Sequence, residues 1–180
     1  MLFPTLDFLL FFLVVVAATT PLLRRNRARK YVLVAASYFF YAQWNWRFCF
    51  LLAGSSAVTY LGGLALDAAK SDRDRKTVVA VAVATHLSIL GFFKYFDFAA
   101  TSFNQAFAAL GSGREFPMLE VILPVGISFF TFHGISYLVD VYRRDVGVCR
   151  DFGDILLYLS FFPQLVAGPI VRSAAFLPQL

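Results

Sequence analysis

Residues 8–30 read FLLFFLVVVAATTPLLRRNRARK: sixteen residues without a charge, then five Arg and Lys within seven. An apolar helix of roughly 20 residues, rising about 1.5 Å per residue, crosses about 30 Å of hydrocarbon. A basic cluster at one end marks the cytoplasmic side. The order also matters. Met1–Leu6 carries no Lys or Arg and Asp7 is acidic, whereas a secretory signal places its positive charge first. The run is therefore predicted to be a retained anchor with its N-terminus outside.

The pattern repeats outward from this stretch. Further uncharged runs occupy Tyr31–Trp46, Phe48–Leu66, Thr77–Phe93, Val121–Val139 and Ile155–Val171. The connections at 23–31, 70–76 and 143–151 hold five, four and three basic residues, twelve of the sixteen in the chain. Poor connections alternate with these rich ones, which predicts five passes before Arg143. The net charge of +5 thus reads as membrane orientation and contact with lipid headgroups, not as a nucleic-acid surface. Composition agrees: 59% of residues are hydrophobic and only 15% charged, against about a quarter charged in soluble domains. The aromatic residues Tyr38, Phe39, Phe40, Tyr41, Trp44 and Trp46 crowd one end of their run, as at a headgroup boundary. Asp97–Leu119 reads as a long outer connection, part of it a short surface helix, with Gly111, Ser112, Gly113 and Pro117 as breakers. The expected fold class is an all-α, polytopic transmembrane helical bundle with one broken or re-entrant helix near the C-terminus.

Ionisable groups inside hydrocarbon are costly and mark candidate sites. His133, Tyr137 and Asp140 share one helical face, with Ser136 beside them. They read either as passage-lining residues or as interhelical contacts, with Asp140 then paired to Arg143 or Arg144. Pro163, Gly168 and Pro169 interrupt the last run, and the backbone groups they free need protein or solvated partners; Gln164 is then an inward polar group. His86 reads as a satisfied structural histidine or a proton relay, and Asp67 as reaching toward Lys70. Cys49 and Cys149 are expected not to pair with each other. No phosphate loop, nucleophile elbow, HExxH or CxxC motif is present, so neither a metal site nor a complete catalytic constellation is expected among these residues.

Four stretches, Ala36–Trp44 (ASYFFYAQW), Leu90–Phe98 (LGFFKYFDF), Leu123–Arg143 (LPVGISFFTFHGISYLVDVYR) and Phe161–Arg172 (FFPQLVAGPIVR), resemble the membrane-bound O-acyltransferase family in its bacterial alginate O-acetylation branch. The resemblance implies a multi-pass protein of the bacterial inner membrane. It implies acetyl transfer from cytosolic acetyl-coenzyme A to a hydroxyl of an exported polysaccharide or an extracytoplasmic or membrane partner. It also implies that residues 1–180 form an N-terminal portion whose catalytic histidine lies beyond Leu180, with no bound cofactor. Arg143, Arg144 and Arg150 are then candidates for the donor's phosphates, or for orientation and lipid contact alone. Two other readings stand beside it: a small proton-coupled transporter or flippase-like module using His86, His133 and Asp140, and a non-catalytic assembly subunit.

Overall fold

A computed structural model describes residues 5–109, 122–165, 168 and 171–180, and its regular elements are helical throughout these residues. Thr5 caps α1 (Leu6–Thr19) by accepting from the Phe8 amide. Pro21 then forces a 3₁₀ turn, Thr20–Leu22. α2 (Asn26–Asn45) and α3 (Arg47–Ala68) follow with hardly a break. Ser71 Oγ accepts the Asp74 amide at the start of α4 (Asp72–Ala109), whose first turn carries Asp72 and Asp74, the charge that suits a helix N-terminus. α5 spans Ile127–Arg143 and α6 Phe152–Ser160. The short turns α7 (Phe162–Leu165), α8 (Ser173–Phe176) and a 3₁₀ turn, Leu177–Gln179, complete the described chain.

α3 and the stretch Asp72–Phe107 of α4 are each long and apolar enough to cross a membrane, and Leu6–Leu22 is a shorter apolar helical stretch. Leu9, Leu10, Leu13 and Val14 on α1 and Val81, Leu87, Phe92 and Phe98 on α4 are exposed, as expected of faces that meet lipid rather than protein. Inside, α5 packs on α3, α4 and α6, while α2 packs on α1, α3 and α6. α6 is the most enclosed element, burying Ile155, Leu157, Tyr158, Leu159 and Ser160. A second cluster stacks Phe8 and Phe11 of α1 and Phe40 of α2 around Phe162.

The helix bounds correct the sequence reading in two places and locate the break expected in the last run. α4 does not stop at Phe93 but runs on to Ala109. Residues 94–109 contain no Gly or Pro, and Lys94 and Asp97 do not themselves end a helix, so residues 97–109 are not a connection. Gly111, Ser112, Gly113 and Pro117 lie outside the described residues. α5 starts six residues later than the run at Val121, because Gly126 takes φ +75, a left-handed turn that a β-carbon disfavours. The last run breaks after Ser160, where Phe161 turns to ψ 104. Its first helix, nine residues, is about 14 Å long, half a bilayer.

All three basic connections meet at one end of the bundle. Lys30 reaches Asp151 and Asp154, Arg150 pairs with Asp67 at 2.7 Å, and Arg144 approaches Asp72 at 3.9 Å. Asp67 therefore engages Arg150 rather than reaching toward Lys70. Arg75 donates from one guanidinium nitrogen to Leu66 O at 2.6 Å and from another to Val141 O and Tyr142 O, each at 3.0 Å, so one cation closes the C-terminal ends of α3 and α5. The tail returns to this same end: Ser173 Oγ lies 3.2 Å from Asp140 Oδ2, and Arg29 donates to Gln179 O at 3.2 Å. Toward the opposite end, Tyr41 donates to Val125 O at 2.8 Å.

Lys30 sets where α6 begins. It is 6% exposed, and its ammonium holds Asp151, which also caps α6 through the Gly153 amide at 2.8 Å, together with Asp154 at 2.8 Å. Burial pulls the Lys30 ammonium down, but hydrogen bonds and charge from both carboxylates outweigh it and hold the group above its ordinary 10.5. The Lys30 hydrogen bond first, and the Gly153 amide with it, hold Asp151 below its ordinary 3.8. A lowered carboxylate contributes stability above that ordinary value and loses it as pH falls through the lowered one; a raised ammonium contributes below 10.5 and loses it as pH rises through the raised one. The tie is therefore intact across neutral pH. Lys30→Met leaves two carboxylates without their cation and should lower stability by about 2 kcal/mol, less than the 3–5 kcal/mol of a sealed pair because Asp151 is 43% exposed. Melting in mild detergent checks this: the wild type should lose more stability on acidification than Lys30→Met does.

Candidate functional site

α5 presents two faces, and they divide the residues that its sequence placed together. His133 and Tyr137 point inward, 1% and 0% exposed. The His133 ring packs against Tyr158 of α6, centroids 5.1 Å apart. Tyr137 reaches across the bundle, its hydroxyl accepting the Cys149 amide at 2.9 Å and lying over Gly63 of α3. Ser136 and Asp140, by contrast, line an open cleft of about 380 Å³ with Phe132, Val139, Arg143 and Arg172. Asp140 is engaged by Ser173 rather than by Arg143 or Arg144.

The three arginines singled out as phosphate candidates do not converge. Arg143 shares the first cleft with Arg172. Arg144 lines a second cleft of about 380 Å³, beside Arg75, Asp67 and Gly147. Arg150 is occupied by Asp67. The first cleft at the basic end therefore brings together two guanidinium groups from residues distant in sequence, whereas in the second Arg75 is already held by three backbone carbonyls, which leaves Arg144. Arg172 and Arg75 were not singled out from sequence, because the pairs form only when α5 meets the tail or the start of α4.

At the break, Pro163 sits in the first turn of α7, where a missing amide hydrogen costs nothing. Ser37 Oγ of α2 takes up the Phe162 amide that the break releases, at 3.3 Å. Gln164 is partly buried, its Oε1 covered. Gly168 packs so close that an added β-carbon would fall 2.7 Å from Gln164 Cα. Pro169 lies outside the described residues.

His86 is the structural histidine of its first reading. Ser55 Oγ lies 3.1 Å from Nδ1 and Thr59 Oγ1 3.0 Å from Nε2, so α3 grips both sides of a ring on α4. Gly134 of α5 lets a third backbone close over this grip: its absent β-carbon would stand 2.6 Å from Thr59 Oγ1 and 2.9 Å from His86 Nε2. Both cysteines are free, and burial pushes the Cys149 thiol up, which suits a packed residue rather than a reactive one. His86, His133 and Asp140 thus each have separate surroundings, with no shared face for a proton path among the described residues.

The described residues thus form an all-helical bundle with polar groups sealed inside, in which two helices are long and apolar enough to cross a membrane. Comparison with known proteins narrows this. The chain is 38% identical over 136 residues to a probable alginate O-acetylase AlgI of Pseudomonas aeruginosa and to that of Pseudomonas putida, covering 75% of this chain and 26% and 28% of those relatives. It is 33% identical over 165 residues to a peptidoglycan O-acetyltransferase of Helicobacter pylori, covering 78% of this chain and 30% of that protein. The chain belongs with the bacterial O-acetylases that its motifs resemble, and it spans between a quarter and a third of the length of these relatives. No family model matches it, and no solved structure does.

The three-helix contact at Gly134 is open to a simple check. Gly134→Ala should cost about 1–3 kcal/mol, since the new methyl meets a hydroxyl and a ring that are themselves fixed. Gly54→Ala, at a helical site with nothing within 4 Å, should be neutral or stabilising by up to about 1 kcal/mol. Thermal unfolding of the two variants side by side separates crowding from helix propensity.

Proposed function

We propose that this chain forms scaffold and donor-side surface of a membrane-bound O-acyltransferase in the bacterial inner membrane. That enzyme takes acetyl from acetyl-coenzyme A on the cytoplasmic side and passes it to a hydroxyl of an exported polysaccharide or of an extracytoplasmic partner. The observation that carries this reading is the 38% identity to proteins named alginate O-acetylase; the relation to a peptidoglycan O-acetyltransferase supports O-acetylation as the element common to relatives named for different acceptors.

The distribution of charge supports an orientation. The connections at 23–31, 70–76 and 143–151 gather at one end, and basic loops collect in the cytoplasm. In this orientation the N-terminus is extracytoplasmic, and the segment 152–179 dips in from the cytoplasmic face and returns to it. The cleft of Arg143 and Arg172 then opens where an acyl-coenzyme A arrives, and that guanidinium pair suits its phosphates.

Neither histidine fits a general base, which must bring a ring nitrogen within hydrogen-bond reach of the proton it takes. His86 has both nitrogens engaged, and His133 is sealed against Tyr158. The base is supplied by another group of the whole enzyme, and these helices hold the wall in place.

Steady-state acetylation in membranes carrying the whole acetylase tests this. Arg143→Gln combined with Arg172→Gln should raise KM for acetyl-coenzyme A about tenfold, the loss of one charge-assisted contact of about 1.4 kcal/mol, with kcat little changed. An unchanged KM removes this cleft from donor binding. A kcat abolished by His133→Gln in protein that remains folded overturns the assignment of the base elsewhere.

A further inference from the structure

Arg172 supplies one of the two guanidinium groups in the first cleft, and its backbone is fixed from both sides. On one side Tyr158 of α6, 0% exposed, donates from its hydroxyl to Val171 O at 3.0 Å. On the other side Ser173, also 0% exposed, donates from Oγ to Asp140 Oδ2 of α5 at 3.2 Å. Residue 172 is thus held between two hydrogen bonds from different helices.

The turn that follows is locked to the same core. Arg172 takes φ −69 and ψ 145, and its carbonyl accepts the amides of Ala175 at 3.0 Å and Phe176 at 3.2 Å as α8 opens. The Phe176 ring packs on Tyr158 and Phe161, with centroids 5.5 and 5.4 Å away. Tyr158 therefore holds this stretch twice, by its hydroxyl and by its ring. A helix of four residues does not persist unaided. The ties to α5 and α6, and not α8 itself, set where Arg172 lies.

The side chain is left uncommitted. Asp140 and Asp145 line the same cleft as Arg143 and Arg172, yet neither arginine forms an ion pair among the described residues. Two carboxylates against two guanidinium groups leave no net charge there. Overall attraction then does little to hold a phosphate, and direct contacts from well-placed donors decide the affinity. An arginine free to swing would fold onto a neighbouring carboxylate. Ser173 opposes this too, since it gives Asp140 a partner other than Arg172.

We infer that the two ties, Tyr158 to Val171 and Ser173 to Asp140, make these side chains positioning residues that hold Arg172 in the cleft of Arg143 for the phosphates of the acyl donor. The inference rests on the donor reading of this cleft and adds the residues that set its geometry. Their effect passes through the backbone at 171–173.

Steady-state acetylation by the whole acetylase in membranes tests the ties, with KM for acetyl-coenzyme A read apart from kcat. Arg172→Gln alone should raise KM about fivefold. Ser173→Ala and Tyr158→Phe should each raise it about threefold, with kcat within about twofold of wild type, and neither should raise it further once Arg172→Gln is present. Ser173→Thr, which keeps the hydroxyl, should stay close to the wild-type KM. A purely structural defect would instead reduce the amount of active enzyme, lowering kcat and leaving KM alone. If Arg172→Gln raises KM while Ser173→Ala or Tyr158→Phe leaves it unchanged, or if their effects persist undiminished in the Arg172→Gln background, the positioning role is overturned and the donor cleft stands. If Arg172→Gln itself leaves KM unchanged, the donor reading fails and the inference falls with it.

Discussion

A lysine ammonium buried among apolar helices is unfavourable unless something of opposite charge goes in with it. Lys30 opens α2 at 6% exposure, and two carboxylates 121 and 124 positions later in the chain meet it. This constraint places the start of α6 beside the start of α2. Asp151 cannot leave Lys30 without also uncapping α6, because the same carboxylate accepts the Gly153 amide. Everything that α6 does next follows from where it begins. Its nine residues run inward between α2, α3 and α5, and its break falls where Ser37 can receive the Phe162 amide and Phe162 can enter the Phe8, Phe11 and Phe40 cluster.

The rest of the bundle is held by close approach rather than by charge. Gly63 admits Tyr137, Gly62 admits Leu138, and Gly134 admits the Ser55, His86 and Thr59 grip, so α3, α4 and α5 meet with polar groups locked inside. Small residues and satisfied hydroxyls are what hold helices together when lipid is as apolar as the side chains. The basic connections gather at one end, where Arg75 closes two helices and further arginines line clefts.

Much of this was legible in the sequence because it depends on local pattern. Runs without charge gave the helices, and basic connections gave the end at which they gather. Pro163 and the residues around it marked the break, and the motif from Leu123 to Arg143 pointed to the O-acetylases. What was not legible depends on pairing over distance. Lys30 looked like one more loop charge, since nothing near it in sequence tells that Asp151 and Asp154 will arrive. Asp67 has Lys70 close by in sequence but Arg150 in space. Helical spacing put His133, Tyr137 and Asp140 on one face, but the boundary of the core falls between them, which sends the first two inward and leaves Asp140 at a cleft. The overrun of α4 shows a different gap: an interfacial charge marks a membrane boundary but does not end a helix.

The dependence of α6 on its buried cation is tested most directly by exchanging the charges. Lys30→Asp should collapse the thermal stability of the full chain in mild detergent, as it sets three carboxylates together. Adding Asp151→Lys restores one cation between two anions and should recover at least half of the lost melting temperature, the remainder being the missing cap on Gly153. If the exchanged pair melts no higher than Lys30→Asp alone, the tie does not position α6 and the account built on it is wrong.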